Sequence, residues 1–290
     1  MRLFAVAMLL LSCCQAREPE IAQADPLLER IVVIGSSASK GWNTNVGLHD
    51  ALEAQLLAPH APIGNFADEM FFLDPGSIGE QQVDRAREHA PSLVVAVDFL
   101  FWFGYGEVGD ESERLENLEL GLELLDSLDC PLLISRFPDM SPAIGKMLLP
   151  TQRPEKATLV RLNSRTQQWA EARGRTAFVP MPELLDLLRD GELVAVAEQR
   201  FRGTQDQRRL LQADNLHPTP EGVAVLARLC IDTLSAAPFA MQATAFQAQL
   251  GPALASLREL DRTRAEQSDA QGKTKLRPTL APDSGQLQLK

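Results

Sequence analysis

At 290 residues, with 45% hydrophobic and 23% charged side chains, the chain has material for one α/β domain of ordinary size plus extensions at its ends. Its formal charge of −11 argues against nucleic acid as a partner and against attraction to anionic lipid headgroups, and leaves a neutral ester or sugar open as a ligand.

The amino terminus places Arg2 before an apolar run from Leu3 to Leu11 and small residues from Ser12 to Ala16, the outline of an export signal. The run is too short to cross a bilayer as a mature helix. Leu10-Leu11-Ser12-Cys13 matches a bacterial lipobox, which would make Cys13 a lipidated membrane tether; cleavage after Ala16 is the rival outcome. Either route predicts an exported protein, periplasmic, held at the cell envelope or secreted. Residues 17–29 read as a linker.

The β-branched run Ile31-Val32-Val33-Ile34 predicts a parallel strand buried on both faces, and Gly35 allows a steep turn at its carboxyl end. That turn presents Ser36, Ser37 and Ser39 where open α/β sheets bind ligands. Next, Asn45 is expected to cap a helix through residue 57 that buries Val46, Leu48, Leu52 and Leu56. Residues 70–73 form a weak strand candidate, 78–89 a helix, 93–98 a buried strand, 112–128 a leucine-rich amphipathic helix and 131–137 another strand. The Pro-rich stretch 138–154 lacks periodicity; it reads first as a surface connection, with a substrate-side loop as the alternative. A helix over 155–173, the last strand over 176–180 and short helices over 182–188 and 192–201 follow. Thr219 caps and Pro220 starts a final core helix reaching about residue 234. Residues 238–265 predict a helical extension, and the polar stretch 266–290 a disordered tail.

Five strands alternating with helices give the fold class: a three-layer α/β/α sandwich around a five-stranded parallel sheet, with the site at the strands' carboxyl ends. Cys13 and Cys14 belong to the signal region, and Cys130 and Cys230 are expected as two buried thiols, not a disulfide. No histidine pair has metal-ligand spacing and no glycine-rich loop ends in Gly-Lys-Ser/Thr, so neither a metal nor a nucleotide cofactor is predicted.

Asp214-Asn215-Leu216-His217-Pro218-Thr219-Pro220-Glu221-Gly222 sets a carboxylate three residues before an imidazole, directly ahead of a helix. An imidazole serves as base to a serine when its other nitrogen is held in one tautomer and the imidazolium that forms is stabilised, and a nearby Asp does both. His49, His60 and His89 lack such a partner pattern and read as ordinary helix or loop residues.

Together with Gly35, Ser36, Ser37 and Gly41, this last segment resembles the SGNH, or GDSL-type, hydrolase family over about residues 30–235, which sets the domain at 30–237. The resemblance implies the flavodoxin-like order of that family's sheet. It also implies Ser37 as nucleophile, His217 as base and Asp214 as the residue that orients it. Ser36 stands where the family usually has Asp. Asp74-Pro75-Gly76-Ser77-Ile78-Gly79-Glu80 looks like the family's second block, which implies that Gly79 donates a backbone N–H to the oxyanion hole alongside Ser37. The third block, Gly-x-Asn-Asp, has no counterpart: Asp98 is followed by Phe99-Leu100-Phe101-Trp102-Phe103-Gly104, without asparagine. Trp102 is the candidate replacement donor, and Asp98 is either a buried hydrogen-bonding residue or a site carboxylate. The activity implied is cleavage of a lipid or carbohydrate ester through an acyl-enzyme. The alternative is a catalytically impaired relative that binds an envelope glycan or a protein partner.

Overall fold

Five short strands run in one direction and order themselves β2-β1-β3-β4-β5: β1 is Ile31–Val33, β2 Gly64–Asn65, β3 Leu93–Ala96, β4 Leu132–Ile134 and β5 Thr176–Phe178. A computed structural model describes residues 25–270, together with the backbone of residues 278–280 and 287–289. The expected export signal, with Cys13 and Cys14, and most of the linker lie outside the described residues.

The sheet alternates its side chains between two cores, as the pleat of a strand dictates. Ile31, Val33, Leu93, Val95 and Leu133 face one apolar cluster, whereas Val32, Ile34, Val94, Ala96, Leu132 and Ile134 face the other. Every residue of β1, β3 and β4 is buried, as in a parallel sheet covered on both sides. Helix α1 (Ser37–Lys40) and α2 (Leu48–Glu53) follow β1; α3 (Pro75–Glu88) precedes β3; α4 (Phe101–Gly104) and α5 (Glu113–Asp126) follow it; α6 (Lys156–Arg173) joins β4 to β5. Helices α3, α5 and α6 cover the second cluster through residues such as Val83, Leu122 and Leu162. The first cluster is covered by α2, by α7 (Met181–Arg189) and by α9 (Pro220–Ser235), whose Val223, Leu226 and Cys230 are buried there. This is the expected three-layer sandwich, and its strand order reverses direction between β1 and β3. Ligands of such sheets bind at that switch point.

Several local expectations are corrected. Asn45 does not cap α2: the helix begins after Gly47, whose N–H is accepted by Asp50, and Asn45 instead donates to the Asp261 carboxylate on the last helix. The helix also stops at Glu53, short of residue 57, where Leu56 bridges to Phe246. The second strand is Gly64–Asn65, while Phe71–Leu73 forms a single 3-10 turn. Residues 192–201, expected as helix, form an antiparallel hairpin of β6 (Leu193–Val196) and β7 (Gln199–Arg202). Burial along 193–196 alternates up to Val196, and Ala197 takes the left-handed backbone (φ 51°) that a tight turn between strands requires. A further helix, α8 (Gly203–Leu210), follows the hairpin. The helical extension is present as α10 (Gly251–Ala270), which runs past the expected limit at 265 and carries Arg262 paired with both Glu259 and Glu266 on its exposed face. In the tail expected to be disordered, β8 (Pro278–Leu280) and β9 (Leu287–Leu289) pair antiparallel. Cys130 and Cys230 are free and buried. Among the described residues no helix is long and apolar enough to cross a membrane.

Candidate active site

The chain leaves β1 through Ile34 and turns at Gly35, which has φ 144°. A Cβ on Gly35 would fall 2.1 Å from Asp98 Oδ1, so the close approach of that carboxylate requires glycine. Both backbone polar groups of Gly35 are met by one side chain: its N–H donates to Gln82 Oε1 (2.7 Å), and Gln82 Nε2 donates to its carbonyl (2.9 Å). Gln82 is buried on α3. Ser37 then opens α1, so its N–H has no partner within that helix.

Asp98, just beyond β3, holds this turn from across the switch point. Its Oδ1 accepts from Ser36 N–H (3.1 Å) and Ser39 Oγ (2.6 Å), and its Oδ2 accepts from Ser36 Oγ (2.8 Å), Ala38 N–H (3.0 Å) and Ser39 N–H (3.0 Å). Five donors converge on one buried carboxylate, bracketing Ser37 on both sides. Asp98 is therefore the buried hydrogen-bonding residue of the two readings open in the sequence. It brings a carboxylate to the turn after β1, where Ser36 has none of its own.

The loop before α9 brings the other partners. His217 Nε2 stands 2.9 Å from Ser37 Oγ and His217 Nδ1 2.8 Å from Asp214 Oδ2, although Ser37 and His217 are 180 positions apart. Asp214 Oδ1 also accepts from the N–H groups of Leu216 (2.9 Å) and His217 (3.0 Å), which fixes the carboxylate to its own loop. Burial pushes the Asp214 carboxyl up, but the His217 hydrogen bond and charge and these two N–H groups outweigh it and hold the group below its ordinary value. A carboxylate at Nδ1 selects the tautomer with its proton there, which leaves Nε2 to accept the Ser37 hydroxyl proton.

Two further residues, for which the sequence carried no signal, support the imidazole. Trp42, directly after Gly41, stacks on the His217 ring with centroids 4.9 Å apart and planes 18° from parallel. Gln212 Nε2 donates to the carbonyls of Trp42 (2.7 Å) and Pro218 (2.8 Å), and Gln212 N–H donates to the His217 carbonyl (2.8 Å). One half-buried amide thus ties the serine loop to the histidine loop. Thr219 caps α9 through the Gly222 N–H, with Pro220 at its start, as expected.

Gly79 is not brought to this centre. It lies inside α3, past the first turn, where a Cβ would press on Leu124, Phe99 and Phe103 at 3.2–3.4 Å. Its N–H belongs to the helical ladder, and the glycine serves close packing of α3 on the aromatic segment. Trp102 does reach the site: it is half-buried and lines one cavity with Ser37 and His217, walled further by Phe101, Pro138 and Met140. The 138–154 stretch therefore borders the site. It is also pinned to the histidine loop, where Asn215 donates to the Pro142 carbonyl (2.9 Å) and Lys146 to the Ala213 carbonyl (3.0 Å). His49, His60 and His89 stand outside the wall of that cavity. Among the described residues no group of three or more His, Cys, Asp or Glu side chains could hold a metal ion.

No protein-family model and no curated protein sequence matches this chain. Solved structures do. A lipase/acylhydrolase from Enterococcus faecalis is 16% identical with a TM-score of 0.46, over 71% of this chain and 95% of that one. The psychrotrophic esterase EstA from Pseudoalteromonas is 12% identical with a TM-score of 0.43, over 71% and 97%. A mutant of Axe2, an acetyl-xylooligosaccharide esterase from Geobacillus, is 16% identical with a TM-score of 0.43, over 72% and 94%. At such identities the chemistry of this site rests on Ser37, His217, Asp214 and their surroundings.

Proposed function

We propose that this protein is a serine hydrolase that cleaves an ester, of a lipid or a carbohydrate, through an acyl-enzyme on Ser37. The observation that carries the reading is the unbroken hydrogen-bonded chain from the Ser37 hydroxyl through both nitrogens of His217 to Asp214. Ser37 Oγ attacks the ester carbonyl while His217 Nε2 takes its proton. The same nitrogen then protonates the departing alkoxide, and Asp214 steadies the imidazolium in between. Water, deprotonated by His217, releases the acid and restores the serine. The oxyanion is assigned to the Ser37 N–H and, in place of Gly79 and the missing asparagine, to the Trp102 indole N–H. Trp102 shares the cavity wall with Ser37, which supports this assignment.

Export completes the proposal, through the amino-terminal signal with either a lipidated Cys13 or cleavage after Ala16. The mass of the mature amino terminus, isolated from an expressing bacterium, distinguishes these two routes. For the chemistry, a fluorophosphonate probe is expected to label the wild type at Ser37, to leave Ser37→Ala unlabelled and to react far more slowly with His217→Ala. Wild-type protein that is folded and stays unlabelled would overturn the hydrolase reading. It would favour the second one, an impaired relative binding an envelope glycan or protein, to which the absence of Asn and Gly79 from the oxyanion position points.

A further inference from the structure

The cavity beside Ser37 and His217 is half-open and has a volume of about 80 Å³, room for about five to eight groups the size of a water molecule or a methylene. Its wall draws apolar residues from both core clusters, Leu184, Val225 and Leu226 from one and Met140 and Leu185 from the other. Leu184 and Leu185 of α7, Leu210 of α8, Val225 and Leu226 of α9, and Met140 form much of its wall. The polar side chains on that wall are Ser36, Ser37, Asp98, His217 and, through its indole N–H, Trp102, which the reading above assigns to the reacting centre. Asp98 is already occupied by five donors from the serine turn, and His217 by Ser37 and Asp214. Beyond the reacting centre nothing is left to meet a hydroxyl, and a sugar ring seated there would lose its hydrogen bonds to water without replacement. A hydrocarbon chain loses nothing by that transfer and gains with each methylene.

We propose that this cavity receives the acyl half of the substrate and that the acyl group is a hydrocarbon chain well longer than acetyl, with the alcohol half left at the mouth. The proposal rests on the reading of Ser37 as nucleophile. The ester carbon sits at Ser37 Oγ, and the chain extends between α7 and α9, so selectivity is for chain length and not for the alcohol. At about 0.8 kcal/mol per buried methylene, kcat/KM is expected to rise by up to about fourfold per carbon until the cavity is full.

The test uses p-nitrophenyl esters from acetate to dodecanoate with the whole protein. Wild type is expected to favour octanoate over acetate by at least about 30-fold. Val225→Phe, which fills the cavity from α9, is expected to keep acetate hydrolysis within about threefold while losing octanoate by more than about tenfold. Leu184→Phe, from the facing wall, provides the same measurement should Val225→Phe not fold. A flat or falling chain-length series in the wild type overturns the proposal, as does an equal loss for acetate and octanoate in a folded variant. Binding of decanoate, followed by the intrinsic tryptophan fluorescence of wild type against Trp102→Phe, separates this inference from the hydrolase reading. If no ester is turned over and Ser37 resists phosphonates, saturable decanoate binding that Val225→Phe abolishes upholds the cavity assignment, and no binding overturns it.

Discussion

Replacing Asp98 by asparagine removes charge and one acceptor from the group that holds the nucleophile's turn, with almost no change of shape. Whichever way the new amide faces, its NH2 confronts a donor. Placed at the Oδ1 position it meets the Ser36 N–H and Ser39 Oγ; placed at Oδ2 it meets the N–H groups of Ala38 and Ser39 and Ser36 Oγ. The first orientation is the less costly, because a serine hydroxyl can rotate to accept and only the Ser36 N–H is orphaned. One buried orphan donor costs about 1–3 kcal/mol, and the remaining bonds fall from charge-assisted to neutral strength, so the net loss is about 2–4 kcal/mol. Asp98→Ala strands three backbone N–H groups and is expected to lose more. Urea unfolding followed by circular dichroism measures the stability, and the rate of fluorophosphonate labelling reads the position of Ser37 between its two anchored neighbours. Labelling is expected to slow by more than about tenfold, as befits a displaced nucleophile. A folded Asp98→Asn protein within about 0.5 kcal/mol of wild type, labelling at the wild-type rate, would refute the idea that this carboxylate organises the turn.

Trp42→Leu removes the aromatic face under His217. A cation over a desolvated indole is worth about 1–2 kcal/mol, so ester turnover is expected to fall about 5- to 30-fold in kcat with little change in KM, and Trp42→Phe to fall between. A variant that changes KM alone would show that the indole acts on substrate binding instead. Asp214→Asn is expected to lower kcat by about three to four orders of magnitude while leaving the protein folded, since the amide favours the wrong tautomer of His217; steady-state kinetics beside a thermal melt check both halves. Glu198, in the β6–β7 turn, accepts from the N–H groups of Leu250 and Gly251 at the start of α10. Desolvation pushes its carboxyl up, but those N–H groups, its own and the Gln199 amide bring it from 4.5 to about 2. A carboxyl depressed on folding stabilises above its unfolded value, so the difference in melting temperature between wild type and Glu198→Gln is expected to be full above pH 4.5 and to shrink as the pH falls toward 2. A difference that is constant or grows with acid would contradict that sign.

Elements with a strong period were legible in the sequence. The β-branched run at 31–34, the leucine face of α5 and the Thr219-Pro220 start of α9 each carry their signal within a few residues, and each forms where that signal puts it. The hairpin at 193–202 was not, because Leu193-Val194-Ala195-Val196 is as compatible with a buried helical turn as with a strand. For Gly79 the sequence leaves an oxyanion donor and a structural glycine equally open, for a related reason. A glycine following a strand-to-helix loop has the same letters whether its N–H faces a substrate or its missing Cβ admits Phe99 and Phe103. Trp42 and Gln212 carried no local pattern at all, since each acts through a contact about 170 residues away.

The chain nevertheless left a trace of how its site is assembled. A Ser at position 36 leaves the turn after β1 without a carboxylate of its own, yet three backbone N–H groups there still need an acceptor once water is excluded. At the switch point β1 and β3 are adjacent, so a short side chain just past the end of β3 lies within reach of that turn. Asp98 stands there, immediately after Val97, and its carboxylate closes the gap. The acid just past the end of β3 thus supplies the acceptor that the turn after β1 lacks. The reading demands that Ser36→Asp in the intact protein be destabilising, because it would press two carboxylates together where Ser36 Oγ now donates to Asp98 at 2.8 Å. Ser36→Asp combined with Asp98→Ser should recover much of that loss, and a double variant no more stable than the single one, measured by the same urea unfolding, would sever the link between the two positions.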